Sequence, residues 1–409
     1  MYKEKMDVTN TMNEKPLTDI EKIQEDLALP DPNTYTELLD VFKKWLILDD
    51  PEIIKIICAC MFANRLPGDP LWLFIIAPPG GSKTEILSSL TGEFAVTVST
   101  LTEHSLISGL RQGKNPIDPS LIPKLDGKVL IIKDFSAILS MRRESREEIL
   151  STLRDAYDGE CSKAFGSNVG TVRYKSKFGL IAAATPIIDR FYSIEQQLGE
   201  RFLKARIRSL NPDKVVTKSL ANLGKEKIMR RELATAMQAI LLKTLVINNE
   251  PKFDPGIQEQ LIALASLLAL FRSGVSRNPY DNTIDFVPEA EIGTRLVKQL
   301  SKIAIGLAIV DKREIVSQDD YQIAKRVALD TLPSKKKAII DALITLKIRN
   351  GDMYFTSQDI GNISDFPTET CKIILEDLRI LNVILRTGTN RFSWKLNQRI
   401  CDLLEKAQI

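Results

Sequence analysis

Residues 77–84, Ala-Pro-Pro-Gly-Gly-Ser-Lys-Thr, are the stretch whose residue types and spacing most directly suggest chemistry. A loop of the pattern GxxxxGK[ST] curls backbone N–H groups around a phosphate, aided by the start of the following helix. Here Ala77 and Ser82 replace the two end glycines, while Gly80, Gly81, Lys83 and Thr84 remain. Gly80 and Gly81 supply a permissive backbone, Lys83 a cation for β/γ-phosphate oxygens, and Thr84 a hydroxyl for Mg²⁺. The expected nucleotide contacts are Pro79, Gly80, Gly81, Ser82, Lys83, Thr84 and Glu85. A chance GSKT on an ordinary strand–turn–helix is the competing reading. The setting favours the phosphate loop: an apolar run, LWLFIIA (71–77), precedes it, and a helical period, SKTEILSSL, follows.

The loop needs a frame. Further apolar runs, VLII (129–132) and FGLIAAA (178–184), read as buried strands separated by helices, which predicts an α/β fold with a parallel sheet covered on both faces. Upstream, residues 36–64 have helical spacing on both sides of Pro51, predicting two helices broken at Asp49-Asp50-Pro51. Residues 214–335 are helix-rich. Residues 336–398 read as three helices followed by two strands joined by TGTN, the order of a winged helix. The predicted divisions are an N-terminal helical arm (1–67), a phosphate-loop core (68–212), a helical lid (213–334) and a winged helix (335–409).

Composition narrows the function. With 56 Lys and Arg against 53 Asp and Glu, the net charge is +3, so any nucleic-acid surface must be local. Five cysteines with no CxxC pair and a single histidine, His104, argue against a zinc site and a disulfide framework. The polar start MYKEKMDVTNTMNEK does not read as a signal peptide, and no apolar run approaches the roughly 20 residues of a membrane span. The expected location is cytoplasmic.

The motifs then fall into an order. APPGGSKT resembles the phosphate loop of AAA+ ATPases. Downstream, DGKVLIIKDF (126–135), the helix SREEILSTLRDAYDG (145–159), a hairpin, LIAAATP (180–186) and GERF (199–202) follow in sequence. Over roughly residues 70–330 the chain resembles minichromosome-maintenance (MCM)-like helicases of mobile elements. The resemblance implies an AAA+ core that uses ATP and Mg²⁺ and works as an oligomer, a hexamer-type ring. It puts Thr185 at a water-orienting position, Arg201 at a finger reaching a neighbour's γ-phosphate, and Arg295 at a second sensor on the lid. It departs at the second acidic motif, where Lys133-Asp134-Phe135 stands for Asp-Glu-Phe. A gap-free alignment makes Asp134 the water-polarising base. A one-residue shift makes it the Mg²⁺ carboxylate and leaves Phe135 in the place of the base. Capping of the next helix is the bland alternative for Asp134.

Between 160 and 177, GSNVG is a turn signal flanked by alternating residues. Lys163, Arg173, Lys175 and Lys177 on this hairpin are the expected DNA contacts, since phosphate contact requires cations on an exposed rim. The C-terminal unit offers Lys335, Lys336, Lys337, Arg386 and Arg391, but its third helix mixes Lys372 and Arg379 with Glu369, Glu376 and Asp377, a poor face for reading DNA. That unit equally suits binding of partner proteins. The sequence therefore predicts an ATP-dependent motor on single- or double-stranded DNA, with a nucleotide-switched assembly ATPase of weak turnover as the alternative.

Overall fold

The expected strands pair side by side in a five-stranded parallel sheet of order β2 (Ala95–Val98), β3 (Val129–Ile132), β6 (Gly179–Ala184), β1 (Trp72–Ile76) and β7 (Phe202–Arg206). The computed structural model describes residues 29–409 except 110–117, 167–169, 192–200, 209–210, 245–249, 276, 278–282, 285–290 and 390. Residues 1–28 of the arm and the first half of GERF, Gly199 and Glu200, thus lie outside the described residues. Two of the strands, β2 and β7, are not legible as buried runs. AVTV is half-exposed at the sheet edge, and FLKAR is interrupted by Lys204 and Arg206.

The three legible strands are apolar throughout because helices cover both faces. Along β1, Leu73 and Ile75 enter one core, whereas Trp72, Phe74 and Ile76 enter the other. On the second face lie α4 (Phe135–Leu139) and α5 (Arg143–Tyr157), with Phe135 edge-on to Phe74 at 4.8 Å and Tyr157 edge-on to Trp72 at 5.1 Å. On the first lie α1 (Tyr35–Trp45), α2 (Glu52–Ala63), α3 (Lys83–Ser88), α7 (Glu226–Lys243), α8 (Pro255–Arg272), α9 (Thr294–Val310) and α10 (Gln318–Thr331). The helix α6 (Pro212–Ala221) precedes α7, and β8 (Lys252–Phe253) pairs with β9 (Ile315–Val316). The hairpin β4 (Glu160–Ala164) and β5 (Thr171–Lys175) stands apart as an antiparallel pair.

The C-terminal segment forms α11 (Ser334–Asn350), β10 (Phe355–Thr356), α12 (Ser357–Ser364), α13 (Thr368–Ile380), β11 (Ile384–Thr387), β12 (Ser393–Leu396) and α14 (Gln398–Lys406). The expected three helices and hairpin are present, with a third strand completing the order β10-β12-β11. Its apolar residues are continuous with the core under the helices: Leu404 and Ala407 join the same buried cluster as Leu261, Leu300 and Ile57.

The break at Asp49-Asp50-Pro51 has a second role. Buried Asp50 accepts from Arg326 of α10 and from the Arg208 backbone N–H at 2.9 Å. Arg326 also reaches Glu52 at 2.7 Å and the Arg206 carbonyl at 3.0 Å, so the helix break, the end of β7 and α10 share one buried charge network. Elsewhere α2 and α9 approach closely: a Cβ on Gly306 would stand 2.3 Å from the Ala59 carbonyl oxygen. Gly306→Ala should therefore push the two helices apart and cost about 1–3 kcal/mol of stability, seen as a lowered urea midpoint. An unchanged midpoint would show that this crossing is not tightly constrained.

Candidate functional site

Parallel strands bring their carboxyl ends to one edge, the edge where open α/β sheets bind ligands. There β1 runs into the loop 77–82 and α3. A turn closes through Gly81 N–H donating to the Pro78 carbonyl at 3.1 Å, with Gly80 at φ +77°. Ser82, which stands at the second glycine position of the pattern, also adopts a left-handed backbone at φ +58°. A serine there carries strain that glycine would not.

Lys83 begins α3 but folds back over the loop: its ammonium donates to the Ala77 carbonyl at 2.5 Å and to the Pro78 carbonyl at 2.7 Å. Burial pulls its pKa below the ordinary lysine range, and the negative charge of Asp134 opposes that shift. Lys83 and Asp134 are thus within electrostatic reach. Thr84 is exposed. Glu85, expected among the nucleotide contacts, lines the cleft beside the loop, and its carboxylate receives a bidentate bridge from Arg230 of α7 at 2.7 and 2.9 Å. Its position two residues into α3 turns it toward α7, so its side chain joins two helices.

Asp134 follows β3 at the same edge and is exposed. Its carboxylate accepts from Ser136 N–H at 2.9 Å, so the helix-capping bond to α4 is present. Phe135 is buried between Phe74 and Phe202, which keeps it out of any water-filled site. Thr185 follows β6, the strand between β3 and β1. Ser136, which the motif reading missed, ties the two positions together: its hydroxyl lies 3.2 Å from the Thr185 hydroxyl and accepts from Thr185 N–H at 3.0 Å. A hydroxyl two residues beyond the carboxylate was the available signal. Mg²⁺ characteristically takes one or two protein oxygens plus substrate phosphates, and the Thr84 hydroxyl with the Asp134 carboxylate fits that modest donor set. Among the described residues, no cluster of three His, Cys, Asp or Glu could hold a metal alone.

Beside the loop opens a cleft of about 330 Å³, walled by Gly80–Glu85, by Trp45–Ile47 at the end of α1, and by Lys218 and Asn222 near the end of α6. Asn222 donates from its side chain to the Trp45 carbonyl at 2.8 Å, joining two of these walls. No periodicity marks residues 45–47 for this place, because the fold alone brings them to the loop.

Arg201 and Arg295 do not share this edge. Phe202 pairs with Trp72 and Arg206 with Ile76, so Arg201 lies at the amino edge, roughly 15 Å along the strand from the loop. Arg201 donates to Asp158 at 2.9 Å and stands over the Tyr157 ring at 5.3 Å, while Arg295 approaches the same ring at 5.9 Å. Burial draws the Arg201 pKa down; Asp158 opposes the shift and Arg295 adds to it. The two arginines thus form one cationic corner, too distant to act on the chain's own loop.

The hairpin separates its four cations. Glu160, Ser162 and Ala164 lie opposite Lys175, Arg173 and Thr171 on the exposed face. Lys163 pairs with Val172 and so points the other way, where it engages Glu148 of α5. Period-2 alternation places it on the other face of the hairpin from Arg173 and Lys175. Lys177, just past β5, is also exposed. In the C-terminal segment, Lys336 is buried and donates to the Ser273 carbonyl, and Lys337 bridges Asp341. Arg379 and Arg386 both reach Glu376, Lys372 reaches Glu369, and Asp377 receives Arg277. Acidic neighbours thus balance most of the cations on α13. No helix among the described residues is long and apolar enough to cross a membrane.

No protein-family model matches the chain, and no curated protein matches its sequence.

Replacing Ser82 by glycine should release the left-handed strain and raise stability by up to about 1 kcal/mol, despite the freer unfolded chain. A lowered melting temperature for Ser82→Gly would show that the serine side chain contributes more than its backbone costs.

Proposed function

We propose that the chain is an ATP-dependent motor acting on DNA, related to the MCM-like AAA+ helicases that its motifs resemble, and active as a head-to-tail ring. The observation that carries this reading is the division of the candidate residues between opposite edges of one sheet. Lys83 and Thr84 line a cleft at the carboxyl edge, Asp134 and Thr185 follow their strands to the same edge, and Arg201 and Arg295 stand at the amino edge. Such a chain completes its site only with a neighbour's arginines, which is what a trans-acting finger requires. In this reading α6–α10 form the lid, and the C-terminal segment is a winged helix that serves partner proteins more readily than DNA.

The reaction is attack of water on the γ-phosphorus, yielding ADP and phosphate. Lys83 would release the Ala77 and Pro78 carbonyls and turn to the β/γ oxygens. Phosphate oxygens would also favour its charged form, countering the effect of burial. Bound Mg²⁺ would neutralise phosphate charge. Asp134 would accept the water proton and Thr185 would orient the water. The neighbour's Arg201 would stabilise charge as it develops. Arg173, Lys175 and Lys177 on the exposed hairpin face would hold backbone phosphates of the DNA.

A second reading, a switch that assembles on ATP and hydrolyses it slowly, is favoured by one observation. Asp134 is the sole carboxylate in the Lys133-Asp134-Phe135 motif, and it already caps α4. Turnover measured with and without single-stranded DNA separates the readings: stimulation supports the motor, and ATP-dependent assembly with little turnover supports the switch. Lys83→Ala should abolish nucleotide binding, and unchanged affinity in a folded Lys83→Ala protein would sink both.

Asp134→Asn keeps an oxygen for the Ser136 cap but cannot accept a proton. If Asp134 is the base, Mg·ATP affinity should hold while turnover falls at least about a hundredfold. Weakened, metal-dependent binding would assign it to Mg²⁺ instead, and wild-type values for both would leave only the cap. On the hairpin, Arg173→Ala, Lys175→Ala and Lys177→Ala together should reduce the log–log salt slope for single strands by about 0.7 per lost contact. Lys163→Ala should leave that slope near wild type, and the reverse ranking would refute the facial assignment.

A further inference from the structure

The charged residues that line the cleft cancel one another: Lys83 and Lys218 stand against Glu85 and Glu226. Lys83, moreover, is tied to the Ala77 and Pro78 carbonyls. A nucleoside triphosphate remains a net anion even with Mg²⁺ bound, so two carboxylates in the wall oppose it unless further positive charge is near. That charge is on α7. Arg230 donates from Nε and Nη2 to the two Glu85 oxygens at 2.9 and 2.7 Å, and Glu226, one turn earlier, also acts on its charge. Its neighbour Met229 lines the cleft. Arg230 therefore stands beside both carboxylates at the edge of the cleft.

The Arg230–Glu85 bridge has the form of a contact that can be exchanged. Arg326, which ties α10 to the helix break at Asp50, is only 5% exposed in its side chain, and Arg272, which holds Glu291, is fully buried. The side chain of Arg230 is 58% exposed, and an ion pair so open to water is weak. Glu85 keeps 22% exposure, so water can solvate its carboxylate when the arginine leaves. A guanidinium fork fits phosphate oxygens as well as carboxylate oxygens. One partner is thus stable alone, and the other gains an alternative once phosphate lies beside Lys83 and Thr84, the two residues before Glu85.

We propose that Arg230 is a phosphate-binding residue of the cleft that Glu85 holds in reserve: nucleotide binding transfers the guanidinium from the carboxylate to phosphate oxygens. The inference rests on reading that cleft as the nucleotide site, and it adds a cation that no motif marks. It also gives α7 a reason to respond to the ligand. The helix is joined to α3 through Glu85 in one arrangement and to the nucleotide in the other, so binding repositions one wall of the cleft.

The test is a double-mutant cycle on the full chain, reading the affinity for a fluorescent, slowly hydrolysed ATP analogue with Mg²⁺. Arg230→Gln should weaken binding at least about fivefold, because a charge-assisted contact to phosphate is lost. Glu85→Gln should tighten binding about two- to fivefold, because the exchange no longer breaks an exposed ion pair. For the same reason Arg230→Gln should cost about two- to fivefold more in the Glu85→Gln background than in wild type. A cation that only balances charge from a fixed place would cost the same in both backgrounds. A mere tie between helices would make both single variants alike and leave Arg230→Gln without effect once Glu85 is replaced. Either result overturns the proposal. Circular dichroism checks that each variant is folded. If Arg230→Gln is not, Arg230→Lys gives the same comparison, since it keeps the charge and loses the fork. A wild type that binds no nucleotide removes the reading of the cleft and the exchange with it. A wild type that binds, with Arg230→Gln equal in the two backgrounds or silent, removes the exchange alone.

Discussion

The parallel register of β1 with β6 and β7 is the constraint on which the rest of the molecule depends. Ile76 stands beside Ala184 and Arg206, and Trp72 beside Leu180 and Phe202. Because all five strands run the same way, whatever follows a strand emerges at one edge and whatever precedes it emerges at the other. The loop with Lys83, the Asp134 cap and Thr185 follow strands. Arg201 precedes one. Separation of these groups is thus a property of the sheet, and no side-chain rearrangement within one chain can undo it.

Two kinds of packing hold this register. One is the pair of apolar layers on the sheet's faces, where alternate residues of β1 enter different cores. The other is ionic. Asp50, Arg326 and Asp330 are buried at the carboxyl edge and bind the backbone of Arg206 and Arg208 as well as one another. Ion pairs taken out of water contribute little net stability, yet losing one partner is costly, so such a network fixes geometry more than it adds free energy. Here it anchors the helix break before α2 and the end of α10 to the strand beside β1 and the loop 77–82. The rigid part of the candidate site is therefore supported from below.

Its other wall is built differently. The helix α6 reaches the cleft with no buried side chain, whereas Trp45 and Leu46 beside it are anchored in the core. Elements with little burial open at low free energy and are the ones that ligands and partners can reorganise. A stiff loop facing a loosely held helix suits a site that binds, closes and reopens. The bidentate Arg230–Glu85 bridge links α7 to α3 beside the same cleft, so movement of one is transmitted to the other. The Asp134–Ser136–Thr185 contacts give the opposite side a fixed geometry.

Much of the frame was legible from the chain alone. LWLFIIA, VLII and FGLIAAA are continuous apolar runs because both faces of their strands are buried, and a run of that kind has few other folded fates. APPGGSKT declared a turn between strand and helix through its glycines, and Asp49-Asp50-Pro51 declared a helix break through its proline. The strands β2 and β7 were hidden because an edge position and buried charges erase the apolar signal. Tertiary structure alone decided which groups meet. Glu85 turned to Arg230, Lys163 turned to Glu148, and Lys336 went into the interior, since the side a residue takes depends on what packs beside it. Strand order placed Arg201 and Arg295 together, remote from Lys83, although the sequence holds all three in plain view. Periodicity along one segment reports the local environment; distances between segments arise only when the whole chain is folded.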